Sequence, residues 1–311
     1  MLLSVVMPAY NAGKTIKESI DSILNQSFKD FEFIIINDGS TDNTEDVILS
    51  YGDKRIRYLK NDVNRGIIYT LNRGIIESKG KYIARMDSDD ISLSTRFEKQ
   101  IAILESRPNV IVCGTLISPF GSKTKKTNLT KLQLHNLKMK EQLAITTCFA
   151  HPTVIIRKFV LLSNDIKYDE NFKNAEDYKL WIDLMEYGEY YTVSEKLLLY
   201  RLSDSQISQT NNPITEKSVS KCRELYLLKF VDKFVVSDIR QYGINIHLIT
   251  KIKKQTDNKK IIEAAYLSLN NYGLKEIIYY IFSLDLFSLG YMVAMRFCKR
   301  LIKGKMAIYE F

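Results

Sequence analysis

The sequence predicts an α/β protein built on a mainly parallel central sheet and followed by an α-helical C-terminal region. Three observations carry this. From the N-terminus to Asp90, short apolar runs of strand length alternate with amphipathic helical stretches. These runs end in polar or turn-forming residues, at Pro8-Ala9-Tyr10-Asn11, Asn37-Asp38-Gly39-Ser40 and Asp87-Ser88-Asp89-Asp90. From Ile214 onward the chain is rich in Leu, Ile, Tyr and Lys, with no second set of strand-end motifs. Such alternation implies parallel strands joined by crossover helices. Open sheets of that class bind ligands outside the carboxyl ends of their strands.

Ser4-Val5-Val6-Met7 begins the first strand, and Pro8 closes its apolar run. Ile16, Ile20, Ile23 and Leu24 then fall at i, i+4, i+7 and i+8, the apolar stripe of a helix, and Thr15-Ile16-Lys17-Glu18 has the spacing of a capping box. Phe33-Ile34-Ile35-Ile36 is the second strand, and Asp42-Asn43-Thr44-Glu45 starts the next helix. A third repetition supplies Ile56-Arg57-Tyr58-Leu59, a loop through Asn64-Arg65-Gly66 and a helix to about Ser78. The strand from Gly80 to Met86 delivers the acidic cluster. Leu180, Trp181, Leu184 and Met185 form the stripe of a later helix that opens near Glu176-Asp177. The polar stretch from Ser203 to Pro213 marks a boundary, giving a catalytic domain over 1–210 and a helical region over 211–311.

Carboxylates crowded at a strand end repel one another unless a cation sits among them. An oxygen-liking divalent metal is the natural resident at Asp87, Asp89 and Asp90, with a turn or helix cap as the competing reading. Arg85 lies two residues before Asp87, so strand alternation puts both side chains on one face. There the guanidinium either contacts a phosphate or holds the carboxylate in a structural ion pair. Glu176-Asp177 at a helix start also complements the helix dipole.

Taken in order, Val6-Met7-Pro8-Ala9-Tyr10-Asn11, Asn37-Asp38-Gly39-Ser40-Thr41-Asp42, Asn64-Arg65-Gly66 with Asn72-Arg73-Gly74, Arg85-Met86-Asp87-Ser88-Asp89-Asp90 and Ala175-Glu176-Asp177-Tyr178-Lys179-Leu180-Trp181 resemble glycosyltransferase family 2, of GT-A fold, over roughly residues 4 to 208. The likeness is to its bacterial surface-polysaccharide members. It implies that Pro8, Ala9, Tyr10 and Asp38 hold the nucleotide base and ribose, with Asn11, Asn64, Gly66 and Ser88 completing the nucleotide-sugar contacts. It assigns the donor ribose and a divalent metal, Mn²⁺ or Mg²⁺, to Asp87 and Asp89, with Asp89 ahead of Asp87 as direct ligand. It makes Asp177 the catalytic base. Arg201 belongs to a segment similar to the one that closes over the diphosphate in this family. That segment departs from the pattern, because Ser203 stands where many relatives carry a histidine. His151, before Pro152, is read as structural more readily than as a contact to metal, phosphate or acceptor, and His135 and His247 are given no role.

The resemblance implies transfer of a hexose or N-acetylhexosamine to a glycan acceptor from a UDP-sugar ahead of a GDP- or dTDP-sugar, and with no separate nucleophile to nominate for a retaining route, a single in-line displacement with inversion is the expectation. A basic amphipathic tail makes an undecaprenyl-diphosphate-linked precursor of O-antigen or capsule the attractive acceptor, with a teichoic-acid or protein-linked one as alternative. A non-catalytic nucleotide- or glycan-binding module is the second class. A nucleotidyltransferase is disfavoured, because Pro8-Ala9-Tyr10-Asn11-Ala12-Gly13 holds a single glycine where a phosphate cradle needs several.

The chain of 311 residues is 45% hydrophobic, enough for a large core with an appendage. Cys113, Cys148, Cys222 and Cys298 are widely spaced and make no metal motif; with no signal peptide ahead of the first strand, reduced thiols in a cytoplasm are expected. Between Lys275 and Lys305, Ile277 to Phe282 and Leu286-Phe287 are combined with Arg296, Lys299, Arg300, Lys303 and Lys305. The uncharged run from Leu286 to Met295 is far shorter than the roughly 20 residues that span a bilayer. A helix lying on the inner face of the cytoplasmic membrane is the expectation, and the formal net charge of +9 favours an anionic surface. A nucleic-acid partner has no recognised motif to support it.

Overall fold

In a computed structural model, which describes residues 1–122, 136–203 and 212–230, the alternating runs become parallel strands joined by helices. Strands β1 (Leu3–Ala9) and β2 (Phe31–Asn37) are buried along their whole length, which is why their sequences run apolar without alternation. Strand β3 (Ile56–Lys60) lies at the sheet edge and is only half-buried, so Arg57 and Lys60 are tolerated there. Strand β4 (Tyr82–Arg85) pairs with the other side of β1, placing Arg85 opposite Val6. Helices α1 (Ile16–Leu24), α2 (Thr44–Leu49) and α3 (Ile67–Glu77) make the crossovers.

The second half of the unit continues the same sheet. Strand β5 (Ile91–Ser92) and α4 (Arg96–Ser106) precede the long β6 (Val110–Gly121) and α5 (Asn136–Gln142). They are followed by β7 (Ile155–Arg157), α6 (Lys158–Ser163), α7 (Glu176–Leu184), β8 (Glu189–Leu202) and α8 (Pro213–Leu228). The strand order is β3-β2-β1-β4-β7-β6-β8-β5. The pairs β1·β2, β1·β4, β2·β3 and β6·β8 are parallel, while β7 runs antiparallel to β4 and β6, and β5 to β8. The sheet is mainly parallel, as the sequence predicts. Contacts gather Met1–Tyr226, and with it most of α8, into one compact unit.

Two glycines set how closely these elements approach. Gly74 of α3 lies against β1, where an added Cβ would stand 2.3 Å from Val6 Cγ1. Gly39 ends the β2 turn at φ +69°, and a Cβ there would come within 2.7 Å of the backbone at Val63 and Asn64.

The capping box is a correction. Helix α1 forms with Ile16, Ile20 and Ile23 fully buried, but Thr15 makes no side-chain cap. Its hydroxyl donates instead to the carbonyls of Ala12 (3.3 Å) and Ser88 (3.0 Å), because tertiary contact with the acidic loop outcompetes the local bond. Among the described residues no helix is long and apolar enough to cross a membrane. Cys113, Cys148 and Cys222 are free and buried. His135, His247, Cys298 and the basic segment from Lys275 to Lys305 lie outside the described residues.

Candidate active site

The acidic loop is held by its backbone, which leaves its carboxylates to face one another. Three successive carbonyls are engaged: Ser88 accepts from Thr15 Oγ1, Asp89 from Arg201 Nε at 2.7 Å, and Asp90 from Ser19 Oγ at 2.7 Å. One ligand atom from each of Asp87, Asp89 and Asp90 lies within 4.8 Å of the others. Arg85 forms an ion pair with Asp87. Behind it the fully buried Arg96 donates from Nη2 to the Arg85 carbonyl at 3.0 Å, fixing the strand end.

The electrostatics of the cluster favour a cation. Burial, reinforced by the charge of Asp87, pushes Asp89 up to about 6. Burial followed by the charges of Asp87 and Asp89 raises Asp90 well above the usual carboxylate range. Asp90 Oδ1 accepts from the Arg201 amide at 2.8 Å, yet its buried Oδ2 has no protein partner. Hard oxygen donors at this spacing, incompletely compensated by Arg85 and Arg201, fit a divalent metal such as Mn²⁺ or Mg²⁺.

A second acidic pair opens α7. Burial raises Asp177, opposed by the Tyr178 amide, by Arg85 and by Thr147, whose hydroxyl stands 3.3 Å from Asp177 Oδ2. Burial and then the charge of Asp177 push Glu176 up to about 7, and its Oε2 is buried without a partner. The positive charge of Arg85 works against the upward push on Asp89, Asp90, Glu176 and Asp177 alike. One guanidinium is thus shared electrostatically between both acidic groups, and its buried Nε and Nη1 make no protein hydrogen bond. The structure confirms the Arg85–Asp87 ion pair while leaving donors for a ligand.

His151 is packed between Tyr168 and Trp181. Its Nε2 lies 2.8 Å from the Tyr168 hydroxyl, its ring packs edge-on against Trp181, and burial together with Arg85 pulls its pKa well below the ordinary value. Tyr168 is clamped in turn by Asn72, which donates to its carbonyl at 2.9 Å and accepts from its amide at 3.0 Å. The Asn72-Arg73-Gly74 segment therefore braces the site from α3.

Pro8, Ala9, Tyr10, Asn11, Asp38, Asn64 and Gly66 lie at or just beyond the carboxyl ends of β1 to β3. Pro8 and Ala9 are buried and Tyr10 is exposed. Asn11, at φ +49°, ties two loops by accepting from the Thr41 amide at 2.8 Å and donating from its own amide to Ser40 Oγ. The buried Asp38 accepts from Asn61 Nδ2 (2.6 Å) and from the amides of Arg65 and Gly66 (both 2.9 Å). It shapes the Asn64–Gly66 loop from beneath. Arg201 lies behind the acidic loop, where its guanidinium also pairs with Glu18 and stacks 4.5 Å over the Phe120 ring. Sequence reading missed Asn61, Arg96, Thr147 and Tyr168. Their partners come from distant segments, and no local pattern announces them.

Comparisons with known proteins identify related sequences and folds. A family model described as glycosyl transferase family 2 matches residues 4–164. An uncharacterized glycosyltransferase of Haemophilus influenzae is 31% identical over 303 residues, 93% of each chain. The UDP-Glc:alpha-D-GlcNAc-diphosphoundecaprenol beta-1,3-glucosyltransferase WfgD of Escherichia coli is 28% identical, covering 67% of this chain and 79% of that one. Among solved structures, S. aureus TarS 1-349 in complex with UDP-GlcNAc superposes with a TM-score of 0.62 at 18% identity, over 86% of this chain and 82% of that one.

Proposed function

This chain belongs to glycosyltransferase family 2 and is a glycosyltransferase of GT-A fold, and from that premise we propose that it moves a hexose or N-acetylhexosamine from a UDP-sugar to a lipid-diphosphate-linked glycan precursor, with inversion at the anomeric carbon. The observation that carries the reading is the pair of acidic groups, Asp87-Asp89-Asp90 and Glu176-Asp177, electrostatically joined through Arg85 beside the ends of β1 and β4. The WfgD relative is named for a UDP-sugar donor and a diphosphoundecaprenol acceptor, and TarS was solved with UDP-GlcNAc. Both support a uridine donor, and the first supports the lipid-linked acceptor.

In this reading Pro8, Ala9, Tyr10, Asn11, Asp38, Asn64 and Gly66 bind the nucleoside. Asp89, assisted by Asp87, holds the divalent cation. Bound there, that cation supplies Lewis-acid stabilisation of the charge growing on the departing diphosphate. Arg85 directs its free N–H donors toward the nucleotide-sugar, and Arg201 with Ser88 keeps the loop beneath the diphosphate in place. Asp177 takes the proton of the acceptor hydroxyl as that oxygen attacks the anomeric carbon from the face opposite the leaving group. The acceptor is a precursor of O-antigen, capsule or a related surface glycan, met where a peripherally bound enzyme works at the inner face of the cytoplasmic membrane.

The test is donor hydrolysis without acceptor. Purified protein with Mn²⁺ is incubated with a panel of UDP-, GDP- and dTDP-sugars, and released nucleoside diphosphate is counted. Release from one UDP-sugar, abolished by chelation and by Asp89→Ala, is expected. Release from a GDP- or dTDP-sugar alone, or release that survives Asp89→Ala, contradicts the donor or metal assignment respectively.

A further inference from the structure

Asp177 lies in the first turn of α7. Ala175, the residue before α7, makes no side-chain cap, and it directly follows Asn174, whose φ of +66° places it in the left-handed region. Beside the bond from the Ala175 amide to the Phe172 carbonyl at 2.9 Å, this turn is held from α8, whose residues 213–226 belong to the same compact unit. Thr215, Ser218, Cys222 and Tyr226 recur along one helical face, and Ser218, Cys222 and Tyr226 are buried.

From that face and its flank, α8 grips both segments that define the carboxylate. Asn174 Nδ2 donates to Thr215 Oγ1 at 3.0 Å, and Cys222 Sγ lies 3.8 Å from the Ala175 carbonyl. Lys221 Nζ reaches the Asn171 carbonyl at 3.4 Å and stands 5.7 Å from the Phe172 ring centroid. Arg223 Nε donates to the Ile145 carbonyl at 2.9 Å. Ile145 is two residues before Thr147, the residue that bonds Asp177 Oδ2. One helix therefore braces the turn before Asp177 and the segment that caps it.

We propose that α8 is a positioning element for the catalytic base, with Asn174–Thr215 and Arg223–Ile145 as the two bonds that set where the Asp177 carboxylate meets the acceptor hydroxyl. These residues act through Asp177, so the proposal rests on the reading of Asp177 as the base. A single placed carboxylate is worth roughly a hundred- to ten-thousand-fold in rate, and small displacements erode such an effect.

The experiment uses the full chain and two variants. Arg223→Met keeps the apolar stem and removes the donors, and Asn174→Gly keeps the left-handed backbone and removes the side-chain bond. Hydrogen–deuterium exchange over residues 172–180, UDP binding and the kinetics of hydrolysis, with Mn²⁺, of the UDP-sugar that the donor panel identifies are measured for each. The expected result is faster exchange confined to that segment and kcat lowered about tenfold, with KM and UDP affinity unchanged. Combined with Asp177→Asn, neither variant lowers kcat further, because a positioning effect vanishes when the positioned group is gone.

Unchanged exchange overturns the proposal, whatever the turnover. So does a loss of UDP binding in step with kcat, or a further fall in the Asp177→Asn background. Full activity of Asp177→Asn alone would instead remove the base assignment, while the exchange measurement still reports whether α8 holds the turn.

Discussion

Arg85 illustrates how much a single buried side chain can decide. Strand alternation in the sequence already puts it on the face of Asp87, and the ion pair follows. What the sequence conceals is that the same charge also reaches Glu176 and Asp177, because α7 arrives from far along the chain. For Asp177, burial places the pKa above the ordinary aspartate value, and a base must be ionised to act. The acid limb of the kcat profile is therefore expected at higher pH than an ordinary aspartate would give, and Asp177→Asn should lower kcat by about a hundredfold or more while UDP affinity holds. Steady-state kinetics against pH and calorimetric UDP titration check the two halves. Glu176 gives a stability prediction of opposite sense to a paired carboxylate. Its folded pKa is raised to about 7 from 4.5, so between those values the native state binds the extra proton and stability falls as pH rises. Glu176→Gln removes that slope and is expected to raise stability at pH 8 by on the order of 1–2 kcal/mol, about 2–4 °C in Tm for each. Thermal melts at pH 4 and pH 8 test it: a gain that is equal at both would contradict the linkage.

At the level of elements, β1, β2 and β4 are legible because apolar runs buried on both faces need no partner to be recognised, and the half-buried β3 is legible as a further turn of the same strand–helix alternation. The β6·β8 pair is harder to read. Its exposure is irregular and its register shifts between Val110 and Val112 and again around Leu116, so no clean period of two survives in the sequence. Thr15 fails as a capping box for a related reason: its hydroxyl serves a residue from another loop. Gly74 turns packing against propensity in a measurable way. Alanine is the better helix former by about 1 kcal/mol, but its Cβ would meet Val6 Cγ1 at 2.3 Å, and overpacking costs about 1–3 kcal/mol. Gly74→Ala is therefore expected to lower the urea midpoint despite its intrinsic helical advantage. An increased midpoint would mean that α3 can slide off β1 without penalty.

Across the whole molecule, the family motifs carry the site because they lie at strand ends that the topology brings together, whereas the braces around them are scattered from Thr15 to Arg223. The formal net charge of +9 has no such address. Its densest expression near the C-terminus, Arg296, Lys299, Arg300, Lys303 and Lys305 beside Leu286-Phe287, supports the proposal that the chain meets its lipid-linked acceptor at an anionic membrane surface. Each basic residue near such a surface is worth about 1 kcal/mol, a contribution that fades within a Debye length. Raising salt from 0.15 to 1 M shortens that length from about 8 to about 3 Å. The chain is expected to float with vesicles containing anionic lipid at low salt, to stay behind with neutral vesicles, and to be released at 1 M salt. Deleting residues 284–311 should abolish flotation and leave UDP-sugar hydrolysis in solution intact, because the proposed donor site is built from Pro8 to Arg201. Flotation that persists at high salt would shift the weight from charge to apolar insertion, and absence of flotation at every composition would remove the membrane from the proposed function.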